Sequence, residues 1–519
     1  MSLKLLFSMD YKSLIEESNI HNNYHIIQSI LHVNNQSSLD YIKNTIEKQW
    51  TPHNAPVLSH KTAQLSNKLT KCDISKCNEL FKKLASNETA LKPYIDKYST
   101  ANNIQDGSLS LLYFRGENTW HLNFIPFFLS IWCFAKKYIF PGIQLLLPIL
   151  TLLAPYLLLK YVFNTPLTIS NYFSLIKKLY LGNIDLSMNN FVEYMKSIIQ
   201  ILGFGITLFQ SASQSVQHAI HLHTIENDIN TFGSLLNDYL YNYKELQEYY
   251  TKQFGIKLYD AGIPMQSARL TALWYLQFSK QFLGLQQIVG KIETQFCLSA
   301  AVKIGTLSIP TWIQSAKPQL IIKNATELSL YGKDCKPISI ELIKHAILTG
   351  PNRGGKSTAL RTILQSLILA HTLGVVFSES TTLTPIHFIH SCLRLEDKPG
   401  KASLFEREIE WAVNSLQNNS GQFGFICIDE LFHGTNPNDS LIASKFYLDK
   451  LWKQSNIISI ISTHQFELIN EQDNVLYYCC PATDCKNGTM NYAYGLEKGI
   501  CKLSSVNDIL YEKGLRAKY

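Results

Sequence analysis

The chain has 519 residues, 46% of them apolar, which is enough for two to four domains with real cores. A net charge of +7 is mild for this length, and lysines cluster only as pairs at 82–83, 136–137 and 177–178, so charge alone does not argue for a nucleic-acid surface. Eleven cysteines, odd in number and widely spread, exclude the dense disulfide framework of a small secreted domain.

Neither Cys72 with Cys77 nor the group Cys479, Cys480 and Cys485 has the paired spacing of a zinc site, so reduced structural thiols are expected. The opening "MSLKLLFSMDYKSL" has an apolar patch too short for a signal peptide.

In chain order, residues 1–120 read as polar and mostly helical, with turns at "TPHNAP" and "NNIQDGS". A membrane-associated region is expected at 121–213. There 138–159 runs 22 residues without a charge, and a bilayer core of ~30 Å requires about 20 such residues. Pro141, Pro148 and Pro155 would cripple a soluble helix but are tolerated in spans. A second span is expected at 197–213, uncharged but holding two glutamines. Two spans would form a hairpin with both flanking regions on one side of the membrane. Residues 214–310 show helical periodicity and read as levers: Ile229, Phe232, Leu236, Tyr239 and Leu240 share a stripe, with Leu235 at its edge. From about 311 to 519 strands and helices alternate, the texture of an α/β layer.

The chemistry concentrates in that last region. "HAILTG" (345–350) reads as a buried strand entering a loop, and Gly350-x4-Gly355-Lys356-Ser357 fits the phosphate-binding P-loop pattern. Glycines 350, 354 and 355 free the backbone to turn N–H groups onto phosphate oxygens. Lys356 supplies a point charge for the β- and γ-phosphates, and Ser357 a hydroxyl for Mg²⁺. The helix "STALRTILQSLILAHTLG" aims its positive end at the anion. Downstream, "FGFICIDEL" (423–431) is an apolar strand broken only by Asp429-Glu430: Asp429 is expected to hold Mg²⁺ and Glu430 to orient or deprotonate water. A third strand, "NIISIIS" (456–462), ends in Thr463-His464, and His464 is placed to sense a γ-phosphate.

These pieces, in this order, resemble the ATPase domain of the MutS family of DNA mismatch repair proteins. "TGPNRGGKST" is similar to the family's "TGPNMGGKST", with Arg353 where methionine is usual; "DELFHGTNPNDS" (429–440) resembles "DELGRGTST", and "STHQFEL" (462–468) matches the strand end and histidine. "GKASLFEREIEW" (400–411) resembles "GxSTFMxEM", placing Ser403, Phe405 and Glu408 on the family's positions but Lys401 on its glycine. His433 stands where the family has arginine, and Asn436-Pro437 where it has Ser-Thr.

The resemblance implies an ABC-type ATPase domain that binds ATP and Mg²⁺ through Gly350, Pro351, Asn352, Arg353, Gly354, Gly355, Lys356, Ser357 and Thr358, with metal at Ser357 and Asp429 and catalysis by Glu430 and His464. It also implies a homodimer, or a pair with a related subunit, in which Ser403 contacts the γ-phosphate bound to the facing subunit. The resemblance covers about 285–515 and reaches no mismatch-wedge domain, since Phe191-Val-Glu193 lies in the wrong region.

The expected molecule is therefore an α/β P-loop NTPase domain preceded by helical levers with one or two transmembrane helices. It would be an ATPase anchored in a membrane with its nucleotide domain facing the cytoplasm, binding DNA without mismatch specificity. The alternative is an ABC-type ATPase that energises a membrane process unrelated to DNA. Against it stand the small number of spans and "ASLFEREIEW" in place of an "LSGGQ"-like signature.

Overall fold

The computed structural model of the chain describes residues 6–48, 50–99, 112–114, 118–181, 191–260, 262, 267–393, 403–417, 421–469, 474–484 and 490–515. The turn expected at "NNIQDGS", Cys485 and residues 400–402 lie outside them. Two compact units emerge, one formed by 1–85, 248–259 and 285–519, the other by 86–247 and 260–284.

In the first unit a six-stranded sheet runs in the order Glu497–Lys498, Val475–Cys479, His345–Thr349, Ile457–Ser462, Gly424–Asp429, Phe388–Cys392. Neighbours pair in parallel except the short edge strand Glu497–Lys498, which is antiparallel. Every residue of His345–Thr349 and Ile457–Ser462 is buried, so both faces are covered, and their near-continuous apolar texture follows from that. On Gly424–Asp429, alternate residues Ile426 and Ile428 meet Ala412, Tyr447, Leu448 and Leu451 of the helices Leu404–Ser415 and Pro437–Leu451.

The helix Lys356–Leu373 is buried almost all round, and its buried hydroxyls are satisfied internally, Thr362, Ser366 and Thr372 each donating to the carbonyl four residues back. It packs on the sheet and on two helices from the start of the chain, Gln36–Lys48 and Ala55–Lys68. Gly374 (φ +73°) ends it, and a Cβ there would lie 2.7 Å from the Ser59 backbone nitrogen. Ser59 donates to the Gly374 carbonyl (2.9 Å), and Gln365 donates to the Ser18 carbonyl (2.8 Å). A separate four-stranded sheet, in the order Thr311–Trp312, Ser380–Leu383, Leu320–Ala325, Ile338–Leu342, completes this unit.

The second unit is helical. It holds Pro126–Phe134, Phe140–Leu157, Ile169–Leu181, most of the 64-residue helix Phe191–Phe254 and the first part of Ala268–Ile304, which kinks at Phe278. The stripe Ile229, Phe232, Leu236, Tyr239 and Leu240 is buried, with Phe232 edge-on to Tyr275 (5.0 Å) and Tyr239 to Phe282 (5.2 Å).

The expected membrane spans are corrected here: among the described residues no helix is long and apolar enough to cross a membrane. The uncharged run 138–159 is not one α-helix. The π-turn Ala135–Ile139 precedes an 18-residue α-helix, Phe140–Leu157, and the π-turn Leu158–Val162 follows it. At 18 residues the α-helix stands at the short end of the range for a spanning helix. The second candidate, 197–213, is the early part of the helix Phe191–Phe254 rather than an element of its own. Counting uncharged residues registers neither feature. The fold is thus helix-rich with mixed sheets, and the membrane localisation, with a nucleotide domain facing the cytoplasm, falls with the spans. Apolar side chains along this region are exposed, Tyr161, Phe163 and Phe209 among them.

Candidate active site

The strand His345–Thr349 delivers the chain into the loop 350–355, and the helix from Lys356 carries it away. Gly350 (φ +141°) is doubly required, because a Cβ there would lie 2.9 Å from the Cys480 carbonyl oxygen. Gly355 also has a left-handed backbone (φ +98°). The third left-handed residue is Arg353 (φ +65°), not Gly354, whose need for a small side chain is steric: its Cβ would lie 3.0 Å from the Pro351 carbonyl. A non-glycine residue held at positive φ marks stored strain at a loop whose shape matters.

Lys356 is buried, and its ammonium donates to the carbonyls of Gly350 (3.0 Å) and Pro351 (3.3 Å). Burial holds its pKa below the ordinary lysine value, while the carboxylates of Glu430 and Asp429 act the other way. A desolvated ammonium of this kind gains from an anion brought beside it.

Asp429 ends its strand opposite Ser462 of the neighbouring strand. Its carboxylate accepts from the hydroxyls of both Ser357 and Ser462. The next residue, Glu430 (φ +63°), turns out of the strand and donates its N–H to the Ser462 carbonyl (3.2 Å). Its carboxyl is kept below the usual glutamate range, first by the hydrogen bond from His464, with burial opposing and the charges of His464 and Lys356 assisting.

His464 Nε2 meets three partners: Lys356 Nζ and Asn352 Oδ1, each at 2.9 Å, and Glu430 Oε1 at 3.3 Å. One ring nitrogen carries either a proton or a lone pair, so it cannot accept from Lys356 and donate to Glu430 at once. The imidazole is therefore a two-way contact between the phosphate loop and the strand end.

Residues 351–359, with Asp429 and Glu430, line a cleft of about 840 Å³ whose other walls include Glu327, Leu330, Pro337 and Tyr494. All the expected loop residues from Pro351 to Thr358 thus share one cavity. Ser403 is not in that lining. It caps the helix Leu404–Ser415, its hydroxyl accepting from the Glu406 N–H (3.2 Å) while Glu406 accepts from the Ser403 N–H (2.9 Å).

Sequence reasoning gives Ser462 no role, its only signal being a hydroxyl at the end of an isoleucine run, and names Glu408 and His433 singly without their contact. Buried Glu408 lies 2.9 Å from His433 Nδ1 and accepts from the Gly434 N–H (3.1 Å), tying the capped helix to the segment after Glu430.

The residues present fit Mg²⁺. A serine hydroxyl and a carboxylate converge, both hard oxygen donors. Among the described residues no group of three His, Cys, Asp or Glu side chains is arranged to hold a metal, and a nucleotide-bound Mg²⁺ takes one or two protein oxygens and draws the rest from phosphate and water. Residues 346–509, which hold almost all of these groups, match the family model of MutS domain V, the ATPase domain of MutS-family proteins.

Proposed function

We propose that the chain is a Mg²⁺-dependent ATPase of the MutS type, working as a dimer with composite sites. The observation that carries this reading is the convergence of Lys356, Ser357, Asp429, Glu430 and His464 at one strand–loop–helix junction.

The loop N–H groups and Lys356 would bind the phosphates, and the positive end of the helix Lys356–Leu373 favours anions at the same place. Ser357 and Asp429 would hold Mg²⁺, which when bound neutralises charge on the β- and γ-phosphates. Glu430, kept ionised, is the group able to orient or accept a proton from the attacking water. His464 would follow the γ-phosphate by exchanging its contact with Lys356 for one with the nucleotide. Ser403, outside this cleft and at a helix N-terminus, suits a contact to the nucleotide of a facing copy. DNA binding without mismatch specificity is the family-derived part of the reading. Affinity for duplex or branched DNA that is already absent at ~50 mM salt would remove it.

The experiment is ATP turnover by the purified chain with Mg²⁺. Glu430→Gln should retain ATP binding and lower kcat by about 10²–10⁴-fold, the range ascribed to a general base. Lys356→Ala should lose binding. Wild-type protein that shows no turnover at any concentration, with or without DNA, would defeat the proposal.

A further inference from the structure

Arg353 stands in the phosphate loop, and the partner its guanidinium takes lies outside that loop. It donates to the carboxylate of Glu512, in the last described helix, Val506–Glu512. One turn earlier on the same helix, Asp508 accepts from the Tyr492 hydroxyl (2.8 Å) and from the Met490 N–H (3.4 Å). Tyr492 in turn packs on Tyr494 (ring centroids 5.8 Å), and the Tyr494 ring lies 4.0 Å from the Cβ position of Gly355. A short helix with two carboxylates one turn apart is thus fastened to both sides of the phosphate loop: through Arg353 directly, and through the two tyrosines to Gly355.

Three physical points bear on what this contact does. First, a guanidinium fork pairs equally well with a carboxylate or a phosphate, each through parallel N–H···O bonds. Second, both partners of the pair are about half exposed, 42% for Arg353 and 52% for Glu512, and ion pairs so exposed are weak and readily exchanged. Third, a triphosphate in the loop brings several negative charges to the cleft that Arg353 lines, offering its guanidinium a second anion in place of Glu512. Arg353 lines the cleft from its positive-φ position, so its own backbone is part of the cradle.

We propose that the helix Val506–Glu512 is an anionic latch on the phosphate loop: Glu512 occupies Arg353 until a nucleotide phosphate displaces it, and nucleotide occupancy thereby frees the C-terminal helix. This rests on the ATP-site reading above. The latch lowers nucleotide affinity and converts binding into a mechanical signal at the end of the chain. Glu512 is a positioning residue, acting through Arg353 and not on the substrate.

The test uses the full chain. Glu512→Gln should lower the KM for Mg-ATP by about two- to fivefold, with kcat held within about twofold because the catalytic groups are untouched. Hydrogen–deuterium exchange in 506–512 should rise when the β,γ-imido analogue of ATP is added, and Arg353→Met should show the raised exchange with or without the analogue. If Glu512→Gln leaves KM unchanged and exchange in 506–512 ignores nucleotide, the helix is only a tether and the proposal is wrong. Wild-type protein that fails to retain nucleotide in equilibrium dialysis would instead overturn the ATP site itself and the latch with it. Retention by the wild type with an unresponsive helix sinks the latch alone.

Discussion

Glu293 is fully buried, and five donors converge on its carboxyl group: the backbone N–H groups of Asn34 (2.9 Å) and Asn35 (3.1 Å), their side-chain amides (3.1 and 2.7 Å), and the Ser38 hydroxyl. These donors lie at the start of the helix Gln36–Lys48, where backbone N–H groups have no partner within the helix. Glu293 thus does from a distant helix what the acidic residue of a capping box does locally, accepting from the N–H at the cap. Replacing it with alanine strands several buried donors, each costing about 1–3 kcal/mol when left unmade. Glu293→Ala should therefore lower the unfolding free energy by roughly 3 kcal/mol or more, read as a drop in the urea midpoint. Asn35→Ala combined with it should cost less than the sum of the two, because both changes delete the bond between the Asn35 amide and the carboxyl. Additive losses would show that the carboxyl and Asn35 act independently.

The same junction depends on how closely two elements approach. Gly290 lies one turn before Glu293 in the helix Ala268–Ile304, and a Cβ there would sit 2.5 Å from the Ser37 carbonyl oxygen. Alanine is the better helix former by about 1 kcal/mol, but forcing backbone apart in a packed contact costs typically 1–3 kcal/mol or more. The clash wins, so Gly290→Ala should destabilise. Gly284, in the same helix with nothing within 4 Å of its Cβ position, should respond oppositely and gain up to about 1 kcal/mol as alanine. Thermal unfolding of the two variants side by side checks the sign; two shifts in the same direction would contradict the contact.

Elements of this kind also show what the sequence could disclose. The strand–loop–helix around Lys356 is legible because loop chemistry restricts residue type at each step: glycine at positive φ, a lysine, a hydroxyl. The strand ends at Asp429 and His464 are legible because a polar residue interrupts a buried apolar run. Gly290 and Glu293 are not legible, since their partners lie some 250 residues away in sequence and nothing local constrains them. The run 138–159 is not legible for a related reason: absence of charge is a property of composition and carries no information on the π-turns at its ends.

At the scale of the whole molecule, the opening helices cover the nucleotide domain and enclose ionisable groups between them. His371, fully buried near the end of the helix Lys356–Leu373, stacks on Trp50 (4.4 Å) and meets the edge of Trp312 (5.2 Å). Its Nδ1 lies 2.8 Å from the Leu367 carbonyl and its Nε2 accepts from the Ile386 N–H (2.9 Å), so the neutral tautomer is fixed with its proton on Nδ1. A second proton on Nε2 would face that N–H. Burial accordingly lowers the pKa of His371 to about 4, with the neighbouring His387 adding to it and the Leu367 hydrogen bond opposing. His345, at the start of the phosphate-loop strand, is lowered to about 4 by burial as well.

Between roughly pH 6.5, where an unfolded histidine titrates, and pH 4, the unfolded chain binds more protons than the folded one, so stability falls with falling pH across that window. At about 1.4 kcal/mol per unit, each histidine is worth roughly 3 kcal/mol by pH 4. Glu17, whose pKa is raised by burial, works in the opposite sense and offsets part of the loss as pH falls. Two histidines against one carboxyl leave a net loss. The urea midpoint, followed by tryptophan fluorescence, should fall from pH 7 to pH 5, and His371→Gln should flatten that slope by about one proton. A wild-type midpoint constant across this range, or a His371→Gln slope equal to the wild type's, would mean that the imidazole takes up its proton without leaving the fold.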